Sequence, residues 1–80
     1  MDKAEILKRM NDIFVEVLDD TQIVLSEATT ADDVDGWDSL THVQLVLAVE
    51  QHFKIRFTAR EIRSWSNVGE MIACVISKQR

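Results

Sequence analysis

The sequence contains no proline, two glycines and one cysteine among its 80 residues. With glycine at Gly36 and Gly69 alone, little in the chain interrupts a helix. A single cysteine, Cys74, excludes an intrachain disulfide and a zinc site built from several cysteines. The longest unbroken apolar run, residues 71–76, is far shorter than the roughly 18 residues that a membrane span needs. We therefore expect one small domain, 1–80, without membrane insertion. Its acidic start is unlike a secretory signal and favours a cytoplasmic location.

The charge is acidic overall and unevenly distributed. Residues 1–38 carry 11 acidic and 3 basic residues, a net charge of −8, whereas residues 39–80 carry 3 acidic and 6 basic residues, a net charge of +3. We expect no nucleic-acid partner, because such binding depends on neutralising phosphates. The asymmetry has two interpretations that the sequence leaves open: solvated helix faces, or two ends of the surface that meet different partners.

Apolar residues recur at three- and four-residue steps, which is typical of helices with one buried stripe. We predict a first helix near residues 2–18, capped by Asp2, a second beginning near Ser39, and a last one capped by Asn67. A capping box at Thr58 predicts a short helix through about Arg63. The predicted stripes consist of Ile6, Leu7, Met10, Ile13, Phe14, Val17 and Leu18 in the first helix, and Val68, Met71, Ile72, Val75 and Ile76 in the last.

These elements predict an all-α fold, a small four-helix bundle with three long helices, one short helix and a long loop between the first two. Residues 54–57 alternate polar and apolar, but a lone strand would have no partner, so we interpret them as a connector. The loop, residues 19–38, is long for a bundle, whose loops usually run about 2–8 residues. A loop of this length is usually functional or disordered, and we favour a functional one because it leads directly to Ser39. We expect its apolar residues to pin it to the helices; they are Ile23, Val24, Leu25, Val34 and Trp37.

Ser39 follows Asp38 at the start of the second helix. Ser39 can cap the helix itself or, if Asp38 caps it, project its hydroxyl into solvent. His42 lies one turn later, but without a glycine-rich elbow or a sizeable pocket we expect no hydrolase and no catalytic residue. A serine at a helix start is a good acceptor for a phosphate-linked group, because the unpaired N–H groups and the positive dipole end favour a phosphodiester.

The Asp38-Ser39-Leu40 run and the residues after it resemble the acyl carrier proteins, and the resemblance covers most of the chain. The matching positions are Val43, Leu45, Val46, Ala48, Glu50 and Phe53, and later Asn67-Val68-Gly69-Glu70. The resemblance implies that Ser39, flanked by Asp38 and Leu40, accepts 4′-phosphopantetheine from coenzyme A. A separate magnesium-dependent phosphopantetheinyl transferase would perform that transfer. The protein would then carry acyl groups as thioesters and catalyse nothing itself.

One face of the second helix is a candidate for partner binding. Leu40, Val43 and Leu47 lie at i, i+3 and i+7, with Gln44 beside them. In the family that the chain resembles, this face docks acyl-loading and acyl-transfer enzymes. For Val43 a core position is an equally open alternative. We place Val46, Val49 and Phe53 in the interior, and we expect a monomer.

The sequence departs from the carriers of fatty-acid synthesis that it resembles. Thr41 and Gln44 occupy positions that are often acidic there, and the second half of the chain is neutral to basic. This favours a dedicated carrier of a specialised lipid, polyketide-like or cell-surface pathway. Two alternatives stay open: an aminoacyl or peptidyl carrier, although those usually have Gly-Gly before the serine, and an unmodified helical adaptor with an apolar groove.

The remaining reactive and aromatic residues have structural interpretations. His42 and His52 lack metal-type spacing, so we expect them at the surface or at a partner contact and expect no metal site. Cys74 lies off the centre of its helical stripe, which favours a packing or surface role over chemistry. Trp37 and Trp65 are predicted to anchor loops against the helices, with the mouth of an acyl site as the lesser alternative for Trp37.

Overall fold

The computed structural model describes residues 2–79, so Met1 and Arg80 of the predicted domain lie outside the described residues. The helices are α1 (Lys3–Leu18), α2 (Ser39–Phe53), α3 (Ala59–Ser64) and α4 (Val68–Lys78). Residues 2–79 contain no strand, and the all-α fold with three long helices and one short helix is confirmed. The long loop also holds a single 3-10 turn, Ala31–Asp33, which was not predicted because three residues have no detectable periodicity.

The helices begin at the predicted caps. The Asp2 carboxylate accepts the Glu5 N–H at 2.8 Å, and the Asn67 side chain accepts the Glu70 N–H at 2.9 Å. Thr58 Oγ1 accepts the Glu61 N–H at 3.1 Å, and Glu61 Oε1 accepts the Thr58 N–H at 2.8 Å, completing the predicted capping box. Each cap binds an N–H group that the first turn of a helix leaves without a backbone partner.

One hydrophobic core joins α1, α2 and α4, with α1 packed against both of the others. The predicted stripes of α1 and α4 supply most of it, although Leu7, Val17, Leu18 and Ile76 are only partly buried. Ile55 and Phe57 pack against the core, which confirms that residues 54–57 are a connector. The core consists of Ile6, Met10, Ile13, Phe14, Ile23, Leu25, Leu45, Val49, Phe53, Val68, Met71, Ile72 and Val75.

Asn11 of α1 fastens the long loop. Its side-chain amide donates to the Ile23 carbonyl at 3.2 Å, and its Oδ1 accepts the Leu25 N–H at 2.7 Å. Ile23 and Leu25 are buried, so the loop is pinned as predicted. The prediction was wrong for Val24, which is 87% exposed. Successive side chains of an extended segment point to opposite sides, so burying its two neighbours turns Val24 outward.

The same loop also holds the start of α4. The Val68 N–H donates to the Thr29 carbonyl at 2.9 Å, and the Gly69 N–H donates to the Glu27 carbonyl at 2.8 Å. A Cβ added to Gly69 would lie 3.0 Å from the Glu27 carbonyl oxygen, tighter than ordinary van der Waals contact. The loop therefore supplies hydrogen-bond acceptors for the first turn of α4, and Gly69 permits the close approach.

Glu61 ties α3 to α4. Its carboxylate lies 3.0 Å from Lys78 Nζ and 3.6 Å from Cys74 Sγ. The Thr58 N–H and then Lys78 lower the pKa of Glu61 to about 2. Burial raises the pKa of the half-buried Cys74 thiol, and the Glu61 charge acts in the same direction. A thiol kept protonated is a poor nucleophile, in agreement with a packing role for Cys74.

Candidate functional site

Asp38 caps α2. Its Oδ1 accepts the Leu40 N–H at 3.0 Å and the Thr41 N–H at 2.9 Å. In return, Thr41 Oγ1 accepts the Asp38 N–H at 2.9 Å and donates to the Gly36 carbonyl at 2.6 Å. The Thr41 N–H makes the largest contribution to lowering the pKa of Asp38, which keeps the cap ionised. The capping role therefore belongs to Asp38 and not to Ser39.

Ser39 is the first residue of α2 and is exposed. Among residues 2–79, no hydrogen-bond partner of its hydroxyl is present. The expectation that the first N–H groups of the helix would meet a phosphate is wrong for Leu40 and Thr41, because Asp38 already binds both. What remains at the site is an accessible hydroxyl near the positive end of the α2 dipole.

The His42 ring is hydrogen-bonded to Trp37 and not to Ser39. The Trp37 indole N–H donates to His42 Nδ1 at 3.0 Å, which leaves the proton of the neutral imidazole on Nε2. The two rings are nearly parallel, with centroids 6.0 Å apart and planes 16° apart, and Trp65 meets His42 edge-on at 6.3 Å. Burial lowers the pKa of His42. His42 is only partly exposed, because the fold brings two tryptophans to it.

Both tryptophans anchor loop segments as predicted. Trp37 packs edge-to-face on Phe14 of α1, with centroids 4.9 Å apart, and Trp65 packs on Phe57 at 4.8 Å. Together with His42 they line a small cavity of about 90 Å³. The aromatic cluster therefore holds the end of the long loop, just before Ser39, against the bundle. His52, by contrast, is exposed, with its Nε2 lying 3.3 Å from an Arg9 guanidinium nitrogen.

The two faces of α2 differ sharply in burial. Leu40, Val43 and Leu47 are 72%, 56% and 52% exposed, and Gln44 between them is exposed as well. Val43 is therefore a surface residue and not part of the core. The predicted interior residues Val46, Val49 and Phe53 are all buried. Leu45 is also fully buried and was not assigned to the interior, although its i+4 and i+8 spacing to Val49 and Phe53 is the signal that could have found it.

An open groove runs beside the exposed face of α2. It has a volume of about 310 Å³ and lies between α2 and the segment from Arg56 to Ile62. Val43, Leu47 and Phe57 contribute apolar walls, and Glu50 and Arg56 contribute charge. Arg56 was not singled out as a site residue, because only the path of the chain after α2 brings it beside Leu47.

Residues 2–79 contain neither a metal-binding cluster nor a membrane-spanning helix. No group of three or more histidine, cysteine or acidic side chains is arranged to hold a metal ion. None of the described helices is long and apolar enough to cross a membrane.

The chain matches known proteins over nearly its full length. Residues 8–75 match the family model of the phosphopantetheine attachment site. The chain is also 36% identical over 77 residues to an acyl carrier protein of Cyanidium caldarium, covering 95% of this chain and 88% of that protein. This chain belongs to the acyl carrier protein family.

Two further comparisons extend this result. An acyl carrier protein of Caulobacter vibrioides is 34% identical over 76 residues, covering 94% of this chain and 96% of the relative. The solution structure of a holo acyl carrier protein from Geobacter metallireducens matches with a TM-score of 0.84 and 42% identity, covering 90% of this chain and 83% of that one. The protein is therefore a carrier and not an enzyme, its prosthetic group is 4′-phosphopantetheine, and it works with acyl-handling enzymes and a phosphopantetheinyl transferase.

Proposed function

We propose that Ser39 is the attachment point of 4′-phosphopantetheine, and that residues 1–80 act as a single carrier domain for acyl groups. The observation that supports this is the exposed Ser39 hydroxyl. Asp38 caps α2, so the Ser39 hydroxyl is not used as the cap. The Asp38-Ser39-Leu40 run lies within the matched family region, residues 8–75. A hydroxyl that is exposed and is not used as the cap is accessible to the active site of a transferase.

The Ser39 oxygen would form a bond to the phosphorus of coenzyme A that bears the pantetheine, while the bond from that phosphorus to the nucleotide part breaks. The hydroxyl proton would pass to a base of the transferase. His42 is not available for this, because its Nδ1 already accepts the Trp37 N–H and its Nε2 carries the imidazole proton. When bound, the group supplies a thiol that holds acyl chains as thioesters. The rigid cap formed by Asp38 and Thr41 would keep the attachment point fixed on the bundle.

The exposed face of α2 is the proposed contact surface for partners. Leu40, Val43 and Leu47 form an apolar strip next to Ser39, with Gln44 beside it. Large apolar side chains that are more than half exposed fit a transient interface. We propose that the transferase and the acyl-loading and acyl-transfer enzymes contact this strip while they reach Ser39.

We further propose that the protein is a monomeric, cytoplasmic carrier of a specialised lipid, polyketide-like or cell-surface pathway. Thr41 hydrogen-bonds back to the Asp38 cap and Gln44 is neutral, so α2 offers few acids to enzymes that bind carriers through basic patches. Acyl cargo is favoured over aminoacyl or peptidyl cargo, because the curated relatives are acyl carrier proteins and Trp37 replaces the second glycine of a Gly-Gly pair. Membership of the family argues against an unmodified adaptor.

Mass spectrometry after co-expression with a broad-specificity phosphopantetheinyl transferase tests the attachment site. The wild-type chain is expected to gain one phosphopantetheine, and Ser39→Ala is expected to gain none. Ser66→Ala is the matched control, because Ser66 is also exposed and lies just before a helix. Modification of Ser39→Ala, or an unmodified wild type after treatment with a transferase that modifies another carrier, would contradict the proposal.

The pathway proposal has a separate test. Malonyl loading of the modified chain by the transferase of bacterial fatty-acid synthesis is expected to be slower than loading of a housekeeping carrier. The physical reason is that exposed charge pairs steer encounter and α2 offers few of them. Equal kcat/KM values for the two carriers would rule out the specialised role.

A further inference from the structure

The two ends of α2 carry opposite charge. At the N-terminal end, Asp35 and Asp38 are exposed beside Ser39. At the C-terminal end, Lys54 and Arg56 are exposed just after the helix. Ser39 and Lys54 are 15 residues apart, which corresponds to about 22 Å along a helix. The exposed apolar strip therefore lies between an acidic end near the attachment serine and a basic end far from it.

The positive charges at the far end are available to another molecule. Lys54 and Arg56 line an open groove of about 540 Å³ together with Leu47 of the apolar strip. Within residues 2–79, neither cation forms an ion pair. The only acid of α2, Glu50, lies in the same groove, but its carboxylate accepts the Phe57 N–H at 2.7 Å. The groove thus combines an apolar side chain with two cations and the Glu50 carboxylate, which gives it a net charge of +1.

We infer that the enzymes served by this carrier bind α2 through an apolar patch on their own surface. On these enzymes, acidic residues lie about 22 Å from the active-site entrance, where they meet Lys54 and Arg56. The inference rests on the proposed role of Ser39, because that residue sets which end of α2 points into the active site. Charge complementarity decides the assignment: an acidic patch is attracted by Lys54 and Arg56, whereas a basic patch there is repelled. Such attraction raises the rate of encounter and selects among partners.

The test measures malonyl loading of the full-length modified chain by two forms of one probe enzyme. The first form is a malonyl transferase that binds carriers through a basic patch, and in the second only the basic residues about 22 Å from the active-site entrance are changed to glutamate. The carrier variant is Lys54→Asn/Arg56→Glu, in which asparagine tolerates the left-handed backbone of Lys54 at φ 58°. The control is Lys3→Asn/Lys8→Glu, which makes the same charge change on exposed positions of α1, away from the groove.

The expected result is that the wild-type chain prefers the glutamate-bearing enzyme. The Lys54→Asn/Arg56→Glu variant should reverse this preference, with a change of about tenfold in the ratio of the two kcat/KM values. The control should change the ratio less than twofold. If Ser39 accepts phosphopantetheine and all variants are loaded with an unchanged ratio, this inference is wrong and the proposed function stands. If Ser39 is never modified, both the inference and the proposed function are wrong.

A second copy of the chain is the competing occupant, because antiparallel α2 helices would also bring opposite charges together. Analytical ultracentrifugation of the modified chain separates the two. A monomer is expected for the wild type and for both variants. A dimer that dissociates in the Lys54→Asn/Arg56→Glu variant would overturn the assignment of this surface to partner enzymes.

Discussion

Helices α2 and α4 are attached to the bundle in different ways. The first turn of α4 donates hydrogen bonds to carbonyls of the long loop, and its side chains Val68, Met71 and Ile72 are buried. Helix α2 is capped by its own Asp38 and buries one face while exposing another. The first N–H groups of α4 are thus bound by carbonyls of a distant segment, whereas those of α2 are bound by the adjacent Asp38. A partner can therefore approach Ser39 without displacing a segment that holds the bundle together.

The largest expected difference is between a buried residue of α4 and an exposed residue of α2. Ile72→Ala should lower the free energy of unfolding by about 2–5 kcal/mol, because it leaves a cavity in the core. Leu47→Ala should lower it by less than about 1 kcal/mol, because Leu47 is half exposed and its removal leaves no cavity. Urea unfolding measures both. Similar losses in the two variants would contradict the contrast between the helices.

The contact between the loop and α4 can be tested at Gly69. Gly69→Ala would place a methyl group 3.0 Å from the Glu27 carbonyl oxygen, which is itself hydrogen-bonded to the Gly69 N–H. We expect a loss of about 1–2 kcal/mol in spite of the better helix propensity of alanine. Ser77→Ala at the exposed end of the same helix is the control. A higher free energy of unfolding for Gly69→Ala than for the wild type would show that the loop moves to make room for the methyl group.

A smaller effect is expected from the cap of α2. Asp38→Ala should lower the urea midpoint at pH 7, because the Leu40 and Thr41 N–H groups lose their acceptor. The pKa of Asp38 is lowered from 3.8 in the folded state, so its contribution is present above pH 3.8 and is lost as the pH falls through the lowered pKa. The difference between wild type and Asp38→Ala should therefore shrink in acid.

Asp38→Asn sharpens this test, because asparagine also caps helices but does not titrate. Its urea midpoint at pH 7 should be closer to that of the wild type than the midpoint of Asp38→Ala is. A difference between wild type and Asp38→Ala that stays constant down to pH 2 would contradict the role of the ionised carboxylate.

The smallest expected effect concerns the aromatic cluster before α2. Burial lowers the pKa of His42 below 6.5 in the folded state. Below pH 6.5 the unfolded chain therefore binds the proton more readily, and stability should fall as the pH drops from 7.5 to 5.5. Protonation would also remove the Nδ1 acceptor of the Trp37 indole N–H.

Melting temperatures of wild type, His42→Gln and His52→Gln across that pH range test the effect. His42→Gln should flatten the pH dependence, whereas the exposed His52→Gln should preserve it. An unchanged slope in His42→Gln would assign the dependence to other groups.

Local chemistry explains why most of the fold was predictable. Helical periodicity, together with caps at Asp2, Thr58 and Asn67, depends on residues close in sequence, and all three caps form. The choice between Asp38 and Ser39 as the cap of α2 was not predictable, because both side chains are suited to it. The surroundings of His42 were missed because Trp65, 23 positions along the chain, reaches it only through the fold.

By itself, the sequence determined the helices, their approximate ends, the long loop and the position of the candidate serine, because these features depend on short-range spacing and capping. The tertiary structure alone decided that Asn11 and the loop carbonyls hold the loop and α4 in place, that Val43 lies at the surface, and that Arg56 lines a groove beside Leu47. These outcomes depend on which side chains from distant segments compete for the same interior space. Periodicity in a single helix does not contain that information.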